Sequence, residues 1–444
     1  MPNRKANRGL GAPPGERPRI FVAGAGLTGM SAALTLAARG VQHRIVEAAS
    51  QPGGLARTFC ERGYRFDRTG HLLHLRHPAL RQQVLEWLGS GLRTIRRNSA
   101  IWFRGRYSPY PFQANTHALP PEVAYECVMG FLRARAMTTP ASPGNFEEFC
   151  LQHFGEGFSR HFMLPYNRRL WGVDPKDISH SWCQRFVPIP TVEDVIAGAV
   201  GVEQRALGYN AEFYYPATGI GELAGAMHAR LPHIEMEKPL RSVDPARRQL
   251  RFDDETVTYE HLISTLPLSA LLAVVEGLPE SVAQAAKRLR HTNLYYLDIA
   301  LSAPCRQPYH WIYVPEDEYP FYRVGCYSHF SPSMAPPNTA NLYVELVDRR
   351  TPNTDVLAPQ VADSLVAMGI IQDSSEILFT RVRHIPVAYV LYDHEHQTAT
   401  RVAQDYLRSH GIISTGRYGA WNYSSMEDAL LDGERAALSL FANS

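Results

Sequence analysis

The first apolar run in the chain, Arg19-Ile20-Phe21-Val22-Ala23, predicts a buried strand. It passes directly into Gly24-Ala25-Gly26-Leu27-Thr28-Gly29. The small and apolar residues from Met30 to Arg39 then predict a helix that ends at Gly40. Residues 42–47, with Ile45 and Val46 near the centre and Glu47 last, predict a second strand. Beyond Pro78 the apolar spacing turns helical, over residues 79–88, 121–137 and 145–161. Branched and aromatic residues between turn signals predict strands at 102–107, 261–266, 294–301, 310–314, 323–329, 341–347 and 411–415, and a final helix at 427–440. Residues 194–208, with several glycines and alanines, read as a mobile loop. This order predicts an α/β fold: a Rossmann-like dinucleotide-binding domain, discontinuous in sequence, with a helical insert and an antiparallel sheet that would hold a substrate. The expected division is a disordered leader at 1–18, a cofactor domain at 19–78, 209–270 and 400–444, a helical domain at 79–96 and 118–208, and a sheet domain at 97–117 and 271–399.

Composition narrows the classes. With 444 residues the chain is long enough for two or three packed modules. A net charge of +2, from 45 basic and 43 acidic residues, gives no reason to expect a nucleic-acid or membrane-surface partner. No apolar run reaches the length of a membrane span, and the basic leader lacks the apolar segment of a secretion signal. The six cysteines contain no C-x-x-C pair, so the spacing points to neither a disulfide framework nor a zinc site, and no metal is expected. A reducing, cytoplasmic location is expected on the same ground.

The first ninety residues carry the first chemistry. Gly24 permits a tight turn, Gly26 lets a pyrophosphate approach the backbone, and Gly29 lets helix and strand pack closely. The helix start offers uncommitted N–H groups to phosphate. Glu47, 23 residues after Gly24, stands where a carboxylate accepts hydrogen bonds from ribose hydroxyls. Gly53-Gly54, with Arg57 and Thr58 behind them, can wrap the pyrophosphate and ribityl region of FAD; Tyr64 to Asp67 and the pair Gly70-His71 follow. This order resembles flavoproteins of the amine oxidase and protoporphyrinogen oxidase superfamily.

Later blocks resemble the UDP-galactopyranose mutase family, most closely its eukaryotic type. They are Pro109-Tyr110-Pro111-Phe112-Gln113; Met163, Pro165, Tyr166 and Asn167 with Trp171; Asn210-Ala211 with Phe213 and Pro216; Trp311-Ile312-Tyr313-Val314-Pro315-Glu316-Asp317; Pro320-Phe321-Tyr322-Arg323; and Arg417-Tyr418-Gly419-Ala420-Trp421-Asn422-Tyr423. Tyr327-Ser328-His329-Phe330-Ser331-Pro332 is a further such block, and together with the cofactor segment the matches run in order from about residue 20 to 435.

Residue chemistry and resemblance agree on the ligand class. A nucleotide sugar needs an aromatic surface, cations for its diphosphate and polar groups for its base and sugar. Tyr110, Phe112, Trp171 and Tyr313 can supply the surface, Gln113 and Asn167 the base contacts, and Arg323 a bidentate diphosphate contact. Met163 completes that block. Tyr389 and Tyr423 can donate hydroxyls to the phosphates, and Arg185, Asn210, Trp311 and Arg417 can line the sugar and the flavin. His71, after Gly70, is expected beside the isoalloxazine. The resemblance implies a mutase that interconverts pyranose and furanose forms of a nucleotide-diphosphate sugar, most simply a UDP-sugar. In that chemistry N5 of the reduced flavin attacks the anomeric carbon, with His71, Arg185, Arg323 and Arg417 at the reacting centre. NADPH or NADH is the implied reductant. The alternative is an FAD-dependent oxidoreductase of the amine oxidase or protoporphyrinogen oxidase type. Two positions depart from the mutase pattern: Glu427 stands where the family has Asn, and Val390 follows Tyr389 where the family has Pro.

Overall fold

The computed structural model describes residues 19–137, 142–183, 187–202, 211–231 and 233–441. The expected leader at 1–18 and two expected site residues, Arg185 and Asn210, lie outside these. The chain forms two compact units. One comprises residues up to Arg57, Leu223–Leu289 and those from Thr398 on; the other comprises Thr58–Glu222 and Arg290–Gln397.

The first unit is built on a four-stranded parallel sheet in the order Ile412–Ser414, His261–Ser264, Ile20–Ala23, Arg44–Val46. The first strand feeds the helix Leu27–Ala38, which returns the chain to a parallel neighbour. That helix packs closely on the last one, Met426–Ser439. A methyl group at Gly433 would overlap the Thr28 carbonyl oxygen, and Ser31 Oγ donates to the Leu430 carbonyl at 2.6 Å. A three-stranded antiparallel sheet, with Gln249–Arg251 between Ser242–Asp244 and Thr256–Thr258, completes the unit.

The second unit holds a seven-stranded sheet in the order Ile377–Ile385, Leu294–Leu301, Ala340–Val347, Arg323–Cys326, Trp311–Tyr313, Ser99–Phe103, Arg106–Pro109. All neighbours are antiparallel except Trp311–Tyr313 with Ser99–Phe103. The two-residue period of a strand sorts side chains by face. Leu342, Val344 and Leu346 join Leu297, Ile299, Ile312 and Val324 in an apolar layer, which the helix Thr354–Ala367 covers with Leu357, Val361 and Leu365. Tyr343 joins Trp311, Tyr327, Phe66 and Tyr215 in an aromatic cluster on the other side. The helices Pro121–Ala136, Phe146–Phe158 and Leu164–Trp171 belong to the same unit. The last of these packs on the sheet: Gly172 lies so near Val347 that a side chain would not fit, and Arg169 donates to the Val314 carbonyl at 3.0 Å. Helices and sheet fall in one compact unit, and the units break at Arg57, Glu222, Leu289 and Gln397.

Other elements differ from expectation for identifiable reasons. The expected strand at 102–107 is a hairpin. Arg104 and Gly105, both at positive φ, make a two-residue turn, and Trp102 pairs with Tyr107 across it at 4.7 Å between ring centroids. The apolar alternation runs through that turn and hides it. The expected strand at 323–329 stops at Cys326 and becomes a helical turn, Tyr327–Phe330. Pro359 disguises the helix Thr354–Ala367, and the half-exposed edge strand Ile377–Ile385 lacks an apolar run. Part of the loop expected at 194–208 is the helix Val192–Ala199, started by a capping box between Thr191 and Asp194; Gly198 lies against the Ala114 backbone. Residues 203–208 lie outside the described residues. Among the described residues no helix is long and apolar enough to cross a membrane.

Candidate active site

In the first unit the glycine loop forms a cradle. Gly24 has φ 99°, a left-handed conformation that a side chain would strain, and Thr265 occupies the space a side chain would need. Gly29 lies on the Gly24 backbone, where a methyl group would overlap the carbonyl oxygen. Gly26 is different: the nearest atom to an added methyl is the Gly54 Cα at 3.8 Å, so the space in front of it is open. Gly26 precedes the helix Leu27–Ala38, whose first turn has no side-chain cap and no acidic residue. Its orphan N–H groups and the positive end of its dipole suit an anion. Glu47 lies beside this loop, with Oε2 accepting from Ala25 N at 2.7 Å and Oε1 from Ala49 N at 2.9 Å. Gly53 N donates to Ala25 O at 2.7 Å, and Gly54 (φ 57°) faces Gly26. Arg57 closes the loop, donating to the carbonyls of Gly54 at 3.0 Å and Gln51 at 3.3 Å. Open space, an uncapped helix start and a fixed carboxylate together fit the pyrophosphate and ribose of a dinucleotide.

The same unit carries Arg417, Tyr423 and Glu427. Arg417 donates to the Ser424 carbonyl at 2.6 Å and lies over the Tyr423 ring at 4.6 Å. Glu427 is buried in the first turn of Met426–Ser439, beside the capping box of Ser425 and Asp428. The helix dipole favours a carboxylate there, which gives a physical reason for an acid at that position.

In the second unit Arg323 is the central cation. It faces Tyr313 on one neighbouring strand and Glu345 on the other. Its Nε and Nη2 reach the same Glu345 oxygen at 2.8 and 2.5 Å, and Tyr322 OH donates to that oxygen at 2.8 Å. Nη1 makes no hydrogen bond among the described residues. Burial opposes the charge on Arg323, but the fully buried Glu345 together with Tyr389, Tyr322 and Tyr166 outweighs it and holds the guanidinium well above its ordinary pKa.

An aromatic wall adjoins this cation. Tyr313 lies 5.0 Å from Tyr110 and 5.2 Å from Tyr166 between ring centroids; Tyr166 stacks on Phe162, and Phe162 on Phe112. Arg97 lies over Tyr110 at 3.9 Å and Trp311 at 4.8 Å, and donates to Tyr313 OH at 3.0 Å. Asn167 Nδ2 donates to the Met163 carbonyl at 2.8 Å, and its Oδ1 accepts from Trp171 Nε1 at 3.1 Å; Trp171 in turn meets Tyr389 edge-on at 5.7 Å. Gln113, also buried, donates to the Pro188 carbonyl at 3.2 Å. Tyr110, Tyr313, Arg323, Asn167, Trp171 and Tyr389 therefore form a linked set. Phe112 is fully buried behind it, so it packs the wall and does not form its face. Gly70 lies against the Tyr343 hydroxyl, which leaves no room for a side chain, and half-buried His71 follows it.

Glu345, Arg97 and Tyr166 are the partners that sequence reasoning passed over as site residues. Glu345 had a signal: it is the lone charge in the run Ala340–Val347, on the face opposite the apolar layer. Arg97 had none.

Asp67 is a second buried acid of this unit. Its oxygens accept from Thr58 Oγ1 at 2.6 Å, Tyr215 OH at 2.6 Å and Ile220 N at 3.1 Å. Burial outweighs these bonds and raises its pKa to about 7. A folded value above the unfolded value of about 4 means stability is full in acid and falls as pH rises through about 7. Asp298, also raised to about 7 by burial against its pairing with Arg383, acts in the same direction. Asp67→Asn should remove on the order of 3 kcal/mol of the stability lost between pH 5 and pH 8. Urea unfolding at the two pH values checks this; an equal pH dependence in variant and wild type would refute it.

Residues 27–439 match the family model described as flavin containing amine oxidoreductase. The chain belongs to that family. Among solved structures, a reduced UDP-galactopyranose mutase is 28% identical, with 96% of each chain covered and a TM-score of 0.91. A cyclohexylamine oxidase from Brevibacterium oxydans is 16% identical over 96% of this chain and 99% of that one, at a TM-score of 0.70. A putrescine oxidase double mutant is 13% identical with the same coverage, at 0.67. The two oxidases show the shared fold. For a flavin containing oxidoreductase, the Gly24–Glu47 cradle fits the ADP half of FAD.

Proposed function

We propose that this protein is a flavin-dependent nucleotide-sugar mutase that interconverts pyranose and furanose forms without net oxidation. The observation that carries this reading is Arg323, a cation fixed by a buried carboxylate and adjoined by the Tyr110–Tyr313–Tyr166 wall. An oxidase acting on an apolar amine has no use for such a group, whereas a nucleoside diphosphate does. The likeness to a UDP-galactopyranose mutase along 96% of both chains supports the same reading.

The residues would divide the work as follows. Gly24, Gly26, Gly29, Glu47, Gly54 and Arg57 hold FAD, with Gly70, His71 and Arg417 serving its flavin end. When bound and reduced, by NADPH or NADH, FAD supplies the nucleophile for the anomeric carbon through N5. Arg323 binds the diphosphate and stabilises its charge as it leaves, aided by the hydroxyls of Tyr389 and Tyr423. Tyr110 and Tyr313 hold the base, with Gln113, Met163, Asn167 and Trp171 shaping its pocket. Arg185, Asn210 and Trp311 contact the sugar. The setting is the cytoplasm.

The test is direct. Dithionite-reduced protein given UDP-galactopyranose, and then other nucleotide sugars, should form furanose product, and air-oxidised protein should not. Absence of turnover with every nucleotide sugar, together with hydrogen peroxide release from an amine, would establish the oxidase reading instead.

A further inference from the structure

On the apolar side of the seven-stranded sheet, three residues from separate places in the sequence converge. Cys305 lies in the loop after Leu294–Leu301, Cys326 ends the strand Arg323–Cys326, and His329 lies in the turn Tyr327–Phe330. Their ligand atoms all lie within 4.8 Å of one another. Cys326 is buried, and Cys305 and His329 are half-buried, so the cluster is accessible from one side. It is distinct from the candidate active site: Cys326 and Cys305 pack with the apolar layer under Thr354–Ala367, whereas Arg323 pairs with Glu345 on the opposite face.

We propose that Cys305, Cys326 and His329 bind one borderline-soft divalent ion of the zinc class. The donor set is two sulfurs and one imidazole, which selects Zn2+ over Mg2+ or Ca2+. The imidazole is already oriented. Its Nδ1 donates to the Tyr309 carbonyl at 2.8 Å, which fixes the tautomer and leaves the Nε2 lone pair for a metal. The loop carrying Cys305 is tied to the strand end by the Cys326 N to His310 carbonyl bond at 3.0 Å. Zinc bonds of about 2.0–2.3 Å would require the donors to close by about 1 Å, a shift that the half-exposed loop can make. Ser328 Oγ lies 3.1 Å from Cys326 Sγ, and with three protein ligands a water would take the fourth position. The ion would then clamp the 302–310 loop to the strand that carries Arg323 on its other face.

Metal-stripped full-length protein, loaded with Co2+ or Zn2+ and passed through gel filtration, tests the site. Wild type should retain one ion per chain, show the thiolate-to-cobalt absorption band and gain thermal stability with Zn2+. Cys305→Ser, Cys326→Ser and His329→Ala should each lose the ion and the Zn2+-dependent rise in Tm. Cys60→Ser, at an exposed cysteine in a different strand, should keep both. The two half-buried positions keep the test sound if Cys326→Ser does not fold. No retained ion in fully reduced wild type, or a cobalt–thiolate band that persists in both Cys305→Ser and His329→Ala, would overturn the proposal.

Discussion

Replacing Arg323 with alanine should lower stability by about 3–5 kcal/mol and weaken uridine diphosphate binding by at least about 100-fold. The first effect comes from Glu345. It is fully buried, and its Oε1 has no hydrogen-bond partner among the described residues. Without the guanidinium its charge is compensated only by the Tyr322 hydroxyl. On the proposed function, the second effect would come from two charge-assisted bonds to the diphosphate, each contributing about 1.5–3 kcal/mol. A double variant, Arg323→Met with Glu345→Gln, separates the two effects. Removing both charges should restore most of the stability and none of the affinity. Urea unfolding and titration calorimetry with uridine diphosphate read them independently. Unchanged nucleotide affinity in Arg323→Ala would remove Arg323 from the binding site, whatever happened to stability.

Two single-methyl substitutions in the glycine loop should have opposite signatures. Gly29→Ala places a methyl group on the Gly24 carbonyl oxygen, a contact between backbones that no rotamer change relieves. It should destabilise the protein by about 3 kcal/mol or more, and the flavin should be lost along with the fold. Gly26→Ala meets no atom closer than 3.8 Å and needs no unusual backbone, since φ is −75°. The flavin-free protein should therefore unfold at a nearly unchanged urea midpoint. FAD affinity should still fall by roughly 100-fold, about 3 kcal/mol, because the methyl occupies the approach of the pyrophosphate. Flavin absorbance per chain after dialysis and the unfolding midpoint of apoprotein provide the two measurements. Full FAD occupancy in Gly26→Ala would show that the phosphates do not pass Gly26.

The glycine cradle was legible because it is local. Strand, turn, helix and acid follow one another within thirty residues, and each glycine has its own steric requirement. The sheet face was only partly legible. Tyr313 and Arg323 could be named from their motifs, but Glu345 reads as one more residue in an apolar strand until its neighbour is known. Arg97 meets Trp311 and Tyr313 only because the strands Ser99–Phe103 and Trp311–Tyr313 pair in parallel. The hairpin at Arg104-Gly105 was hidden because period-two alternation continues through its turn.

Sequence alone determined the dinucleotide cradle, the aromatic and cationic residue types of the candidate site and the α/β class, because propensity, periodicity and short-range sterics act along the chain. Tertiary structure decided which charges neutralise each other, which aromatics face the site and which lie behind it, and that Cys305, Cys326 and His329 form a group where their spacing suggested none. Those outcomes depend on strand order and register, and a shift of one residue in register exchanges every side chain between the two faces of the sheet.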